Sequence, residues 1–272
     1  MTTDSELLRE SIDRGTLGLW PVYEDYHIDD SDWLLPVKGA PHRVYSPLDH
    51  KELPSEIYKL HEGDIKGLLA FARRYGDFGL FGMARSHGSL SGVFIGDGLQ
   101  FIWAHVRTVK LVADCIRILQ DEDEPAATRL MRKITTVESD ADGRKVNRLR
   151  LEVGVGWKPE ITRLKYPDEA PPLELVAGLV RILLETNLLG VRRVPLVVEG
   201  YKIRSVIRFE AMLQAVYWML LETAEGGEMV PCQNCRTPFI RTHKKQHYCP
   251  PRSGESESAC SRKVRQERFK AK

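Results

Sequence analysis

Four of the five cysteines in this 272-residue chain, Cys232, Cys235, Cys249 and Cys260, fall within 29 residues near its C-terminal end. From Cys232 onward the only sizeable apolar side chains are Phe239, Ile240, Tyr248, Val264 and Phe269. So little apolar area cannot hold about 40 residues in one conformation, so a covalent or metal cross-link must supply the rest. The opening residues are acidic and polar, without the basic and apolar regions of a signal peptide, and no stretch approaches the ~18 apolar residues of a membrane helix. The expectation is therefore a cytoplasmic protein with no membrane partner, in whose reducing environment clustered cysteines read as metal ligands before disulfides. Cys115 stands apart, among Val112, Ile116 and Leu119, as a small buried hydrophobe.

Cys232-Gln233-Asn234-Cys235 is a tight CxxC turn, in which two thiolates can bind one ion while nearby backbone N–H groups point at the sulfurs. The expectation is that Thr242–Gln246 forms a polar hairpin tip, that His247-Tyr248-Cys249 returns as a strand, and that Cys260 opens a short basic helix. Knuckle, hairpin and helix with a final ligand is the layout of a treble-clef or ribbon-like zinc module. Four thiolates complete a tetrahedral structural Zn²⁺ site with no open position for water. Ten residues separate Cys249 from Cys260 where compact sites have two to four; two prolines and a Ser/Gly/Glu run mark a surface excursion that returns the chain to the metal. His243 or His247 can replace one cysteine chemically, but four sulfurs suffice.

The formal net charge of +2 conceals a strong asymmetry. Residues 232–272 carry 11 Lys/Arg against 3 Asp/Glu, residues 1–60 carry 6 against 12, and residues 61–231 balance at 23 each. Four thiolates and one divalent ion lower the C-terminal +8 to +6, still an attractor for phosphates. Arg236, Arg241, Lys244 and Lys245 lie around the expected hairpin, while Arg262, Lys263, Arg265 and Arg268 lie on the expected helix. These eight are the candidate nucleic-acid contacts, DNA being preferred to RNA. They position a phosphate backbone without choosing a sequence.

Upstream, residues 1–60 mix five of the 15 prolines with Trp20, Tyr23, Tyr26, Trp33 and Tyr45, which predicts an irregular segment packed on the body. Residues 61–227 are predicted as a mostly helical body. Helical spacing runs over 61–75 with Gly76 as a stop, most strongly over 99–119, and again over 126–134, 173–189 and 209–221. Leu149, Leu151, Val153, Val155 and Trp157 alternate as a half-buried strand, and 194–198 with 203–207 reads as a hairpin. The fold class is thus α+β: a mostly helical body with a few strands, and a small zinc module over 228–272.

The helix Phe209–Ala224, the Gly226-Gly227 turn, the CxxC knuckle with Thr237-Pro238-Phe239, and Tyr248-Cys249 with a basic end resemble a group of bacterial proteins carrying a C-terminal zinc finger of the CGNR-like or treble-clef kind. Ile65–Gly79 is similar to a recurrent phrase of the same group. The resemblance covers 208–272 most closely and implies Cys232, Cys235, Cys249 and Cys260 as the metal ligands. Here Cys260 is followed by Ser261-Arg262-Lys263 where the group has Gly-Asn-Arg, and 250–259 is inserted.

Enzyme motifs fail on inspection. Gly88–Gly92 places Leu90 where a nucleophile elbow needs serine, Gly96-Asp97-Gly98 lacks a dinucleotide loop's later glycine, and His61-Glu62 lacks the second histidine of a zinc protease. His87 or His105 meeting Asp77 or Asp97 is a weaker possibility, as is a small-ligand pocket lined by Trp103, Trp157 and Trp218. The leading reading is a zinc protein that binds nucleic acid through its basic finger in a regulatory role. The alternative is a zinc-stabilised module for a protein partner, without nucleic acid.

Overall fold

The computed structural model describes residues 19–37, 42–80, 96–139, 142, 145–155, 158–165, 170–198, 202–252 and 254–270. His87, Trp157 and most of the glycine-rich stretch 76–98 lie outside the described residues. The architecture is α+β, with seven helices and several small antiparallel sheets among those residues.

Residues 20–60 give four short strands and a helix. Strand β1 (Trp20–Tyr23) pairs with β4 (His42–Tyr45), while β2 (Tyr26–Ile28) and β3 (Trp33–Pro36) join β5 (Asp97–Gly98) in a second sheet. Prolines keep these elements short, and the aromatics point inward: Trp20 and Tyr26 share the core with Leu53 and Ile57 of helix α1 (Leu53–Lys59). Helix α2 (Ile65–Tyr75) begins where the Asp64 carboxylate accepts the Gly67 N–H, and it stops at Gly76, whose φ of 87° suits glycine.

The centre of the molecule is α3 (Leu99–Gln120), matching the strongest helical periodicity in the sequence. Ile102, Trp103, Val106, Val109, Val112, Cys115 and Ile116 are buried on it, while Arg107, Lys110, Asp114 and Arg117 form a partly exposed stripe. Burial pushes the Cys115 thiol up to about 12, as befits a packing residue. Asp123 caps helix α4 (Glu124–Ile134), which runs directly into β6 (Thr135–Ser139). Strand β7 (Lys145–Val155) pairs with β6 on one side and β8 (Lys158–Lys165) on the other. It buries Leu149, Leu151 and Val153 against α3, as the alternation predicts.

Helix α5 (Pro172–Asn187), the hairpin of β9 (Arg192–Val198) and β10 (Lys202–Arg208), and helix α6 (Met212–Gly226) follow. The apolar run at 209–221 starts before its helix because Ala211 is extended and the Gln214 side chain accepts the N–H groups of Glu210 and Ala211. Among the described residues no helix is long and apolar enough to cross a membrane.

Two buried polar groups of the body, Asp97 and His105, find partners within the fold. The Asp97 carboxylate accepts N–H bonds from Phe78 at 2.6 Å, Gly79 at 3.1 Å and Leu80 at 2.7 Å. The His105 Nδ1 shares a 2.9 Å hydrogen bond with the Tyr217 hydroxyl, in the core. Trp103 is buried in the core, and the Trp218 indole N–H donates to Glu222 on its own helix. A side chain at Gly154 would place its Cβ 2.5 Å from the His105 ring, so strand and helix approach through hydrogen alone. Gly154→Ala is expected to destabilise the protein by about 1–3 kcal/mol, as overpacked cores do, read as a lower urea midpoint at unchanged slope.

Candidate metal centre

The final segment contains β11 (Glu228–Pro231), β12 (Pro238–Arg241) and helix α7 (Ala259–Lys270). Strands β11 and β12 pair antiparallel, Val230 opposite Phe239 and Pro231 opposite Pro238, so the CxxC knuckle is itself the turn of the hairpin. This corrects the expected arrangement, in which 247–249 returns as a strand after a tip at 242–246. Residues 242–250 form turns with no strand, because β12 already has its partner ahead of the knuckle, and only the Gln233 N–H reaches the His247 carbonyl.

The four cysteines converge. Their sulfurs all lie within 4.8 Å of one another, with Cys235 and Cys249 Sγ 3.5 Å apart and none of them disulfide-bonded. Sulfurs bound at about 2.3 Å to one tetrahedral ion stand about 3.8 Å from each other, so this cluster has the size of a four-thiolate site. Cys260 reaches it from the first turn of α7, as expected, across the ten-residue excursion. His243 and His247 are exposed and stand outside the four-sulfur group.

Local chemistry prepares the sulfurs for charge. Burial raises the Cys235 thiol, but hydrogen bonds from the Thr237 hydroxyl and N–H, with contacts from Cys249 and Cys232, bring it down to about 7. Arg236, between Cys235 and Thr237, holds a left-handed φ of 63°, which turns the chain back over the sulfur. The Asn234 side chain donates to Cys260, whose thiol burial nevertheless pushes up; Cys249 is pushed up too, by burial, while Lys59 opposes the rise. Neighbouring thiols repel each other's ionised forms, and a divalent ion at the centre reverses that sign. The residues therefore fit a soft divalent metal, with sulfur donors that favour zinc over calcium or magnesium.

The module is joined to the body by packing and by charge. Met229 and Ile240 lie in the same buried cluster as α3, while Cys232, Phe239 and Cys249 form a second small cluster around the sulfurs. Gln120, at the end of α3, donates to the Thr223 and Gly227 carbonyls and accepts the Met229 N–H. Glu56 of α1, only 8% exposed, takes Lys59 on one side and Arg252 on the other, the latter at 2.8 Å. Glu255 pairs with Arg74 of α2 at 3.3 Å. The excursion between the last two cysteines therefore docks the module on α1 and α2. Nothing local in the sequence announces Glu56, Lys59 and Arg74 as partners, because the contacts span up to 196 residues.

The eight expected phosphate contacts fall into two states. Arg241 pairs with Glu228 at 3.0 Å, Arg265 pairs with Glu257 at 2.8 Å, and Arg262 donates to the Glu257 carbonyl. Arg236, Lys244, Lys245, Lys263 and Arg268 are exposed. No residue of α7 is buried, and Phe269 is 74% exposed. Comparison with protein-family models, with curated proteins and with solved structures gives no match.

Protein purified without chelators is expected to carry about one metal equivalent by elemental analysis, and Cys249→Ser to lose it. Because the hairpin shares the body's core, a strong chelator should lower the melting temperature of the whole chain instead of melting 228–272 separately. Metal retention should weaken as pH falls, since each thiolate must shed its proton to bind. Arg252→Ala should leave the stoichiometry intact and speed metal release to a chromogenic chelator.

Proposed function

We propose that this protein is a zinc protein that binds nucleic acid through its C-terminal module, and that the ligand is duplex DNA. The observation carrying the reading is α7, a helix with no buried residue. Cys260 and Val264, four residues apart, mark its inner side; Arg262 and Arg265, three residues apart, stand on the outer side, and Lys263, Arg268 and Lys270 flank them. A helix of 12 residues is about 18 Å long. Such a helix enters the ~12 Å major groove of B-form DNA, whereas the deep, narrow major groove of A-form RNA excludes it. Arg236 and the Lys244-Lys245 turn add exposed positive charge beside the metal centre. Four sulfurs leave a bound ion no open position for a substrate, so zinc acts here as a fold-defining ion.

The second reading, a zinc-stabilised surface for a protein partner, is favoured by Phe269, a large apolar side chain exposed among the bases. The two readings separate by titration. Binding through about four to six phosphates requires log K to fall against log salt with a slope of about −4 to −5 on duplex DNA, and truncation after Ser261 should weaken it and make the slope shallower. Absence of DNA affinity at low salt, or affinity unchanged by that truncation, removes the nucleic-acid reading in favour of the protein partner.

A further inference from the structure

The body is neutral by count, yet its charges are not evenly spread. Helix α4 buries Ala127 and Met131 and packs Leu130 and Ile134 partly against the core. Arg129, Arg132 and Lys133, at i, i+3 and i+4, project together from its opposite side and are all exposed. Arg117 of α3 adjoins them: Arg117 and Lys133 both act electrostatically on Asp114, which accepts a 3.0 Å hydrogen bond from the Tyr58 hydroxyl. Among the described residues, Arg129, Arg132, Lys133 and Arg117 make no ion pair and no side-chain hydrogen bond. The acidic turn Asp121–Glu124 lies at the other end of α4, more than a turn from Arg129. Three like charges on adjacent turns repel by a few tenths of a kcal/mol per pair, and Asp114 is the carboxylate that acts on Lys133 among them.

The Arg117 end of this patch approaches the metal module. Gln120, one helical turn beyond Arg117, holds the N–H of Met229 where β11 begins, so Arg117 stands one turn from the root of the finger and the α4 bases extend away from it beside Asp114. We propose that Arg117, Arg129, Arg132 and Lys133 form a second phosphate-contact surface, on the body, which engages the backbone of the same duplex DNA that the finger binds. The proposal rests on the nucleic-acid reading above and extends it, making the finger and body a two-part footprint. Charge complementarity selects the occupant. Four unpaired cations beside a single tied carboxylate suit a polyanion, and guanidinium groups match phosphate oxygens two at a time.

The test uses the full-length, metal-loaded chain and a random-sequence duplex of about three helical turns. Arg129→Gln/Arg132→Gln/Lys133→Gln keeps good helix formers at exposed positions, so its melting temperature should match the parent. Each lost phosphate contact removes about 0.9 from the salt slope. The triple variant should therefore bind with a slope shallower by about 2–3 and bind at least about tenfold more weakly at 50 mM salt. Arg129→Lys/Arg132→Lys, which keeps the charges, should retain the parent slope. If the parent binds DNA and the triple variant matches it in slope and affinity, the body surface is overturned while the finger reading stands. A charge-keeping variant that fails as badly as the neutral one also overturns it, since the loss would then not be electrostatic. If the parent itself binds no DNA at low salt, both readings fall together.

Discussion

Burial of the 22-residue helix α3 is the constraint on which the other elements depend. Its wide apolar face must be covered from several directions at once. The β6–β7–β8 sheet, α5, α6 and α1 each cover part of it. At about 25 cal/mol per Å² of apolar area, a buried Leu, Ile or Phe contributes about 1.5–3 kcal/mol, so no single covering element suffices and the layers stabilise each other. The last turn of the same helix, through Gln120, also fixes the point at which the chain leaves α6 for the metal module.

The metal centre is consequently not a finger on a tether. Its hairpin lends Met229 and Ile240 to the body's core, and the excursion between Cys249 and Cys260 brings Arg252 to Glu56 and Glu255 to Arg74. The ten-residue spacing that departs from compact sites thus has a structural reason. A shorter link closes a tetrahedron equally well but leaves nothing to meet α1 and α2. Lys59, which pairs with Glu56, also acts on the Cys249 and Cys235 sulfurs, so one lysine of the body serves both the docking contact and the charge of the cluster.

The parts of the site that were legible in the sequence are those fixed by local chemistry. The CxxC turn with Thr237 two residues on, Cys260 opening a helix, the period-2 alternation of β7 and the long stripe of α3 all follow from spacing over a few residues. Misplacements occurred where a non-local partner decided. Residues 247–249 are not a strand because β12 pairs backward across the knuckle with β11. His105 shares its Nδ1 hydrogen bond with Tyr217, 112 residues away.

Charge shows the same division. Composition places an excess of bases in residues 232–272, and that excess is a property of the sequence alone. Which of those bases find an acidic partner was settled by folding, which sets Glu228 against Arg241 and Glu257 against Arg265. Folding also gathers Arg129, Arg132 and Lys133 on one side of a helix and brings Arg117 up beside them, in a stretch whose charges cancel by count. The sequence by itself determined the CxxC turn with its two further cysteines, the helical class of the body and the sign of its C-terminal charge, because each is read from local spacing and composition. Only the tertiary structure decided the docking of the module and the patches of unpaired charge, because those depend on side chains that loop closure brings together from distant parts of the chain.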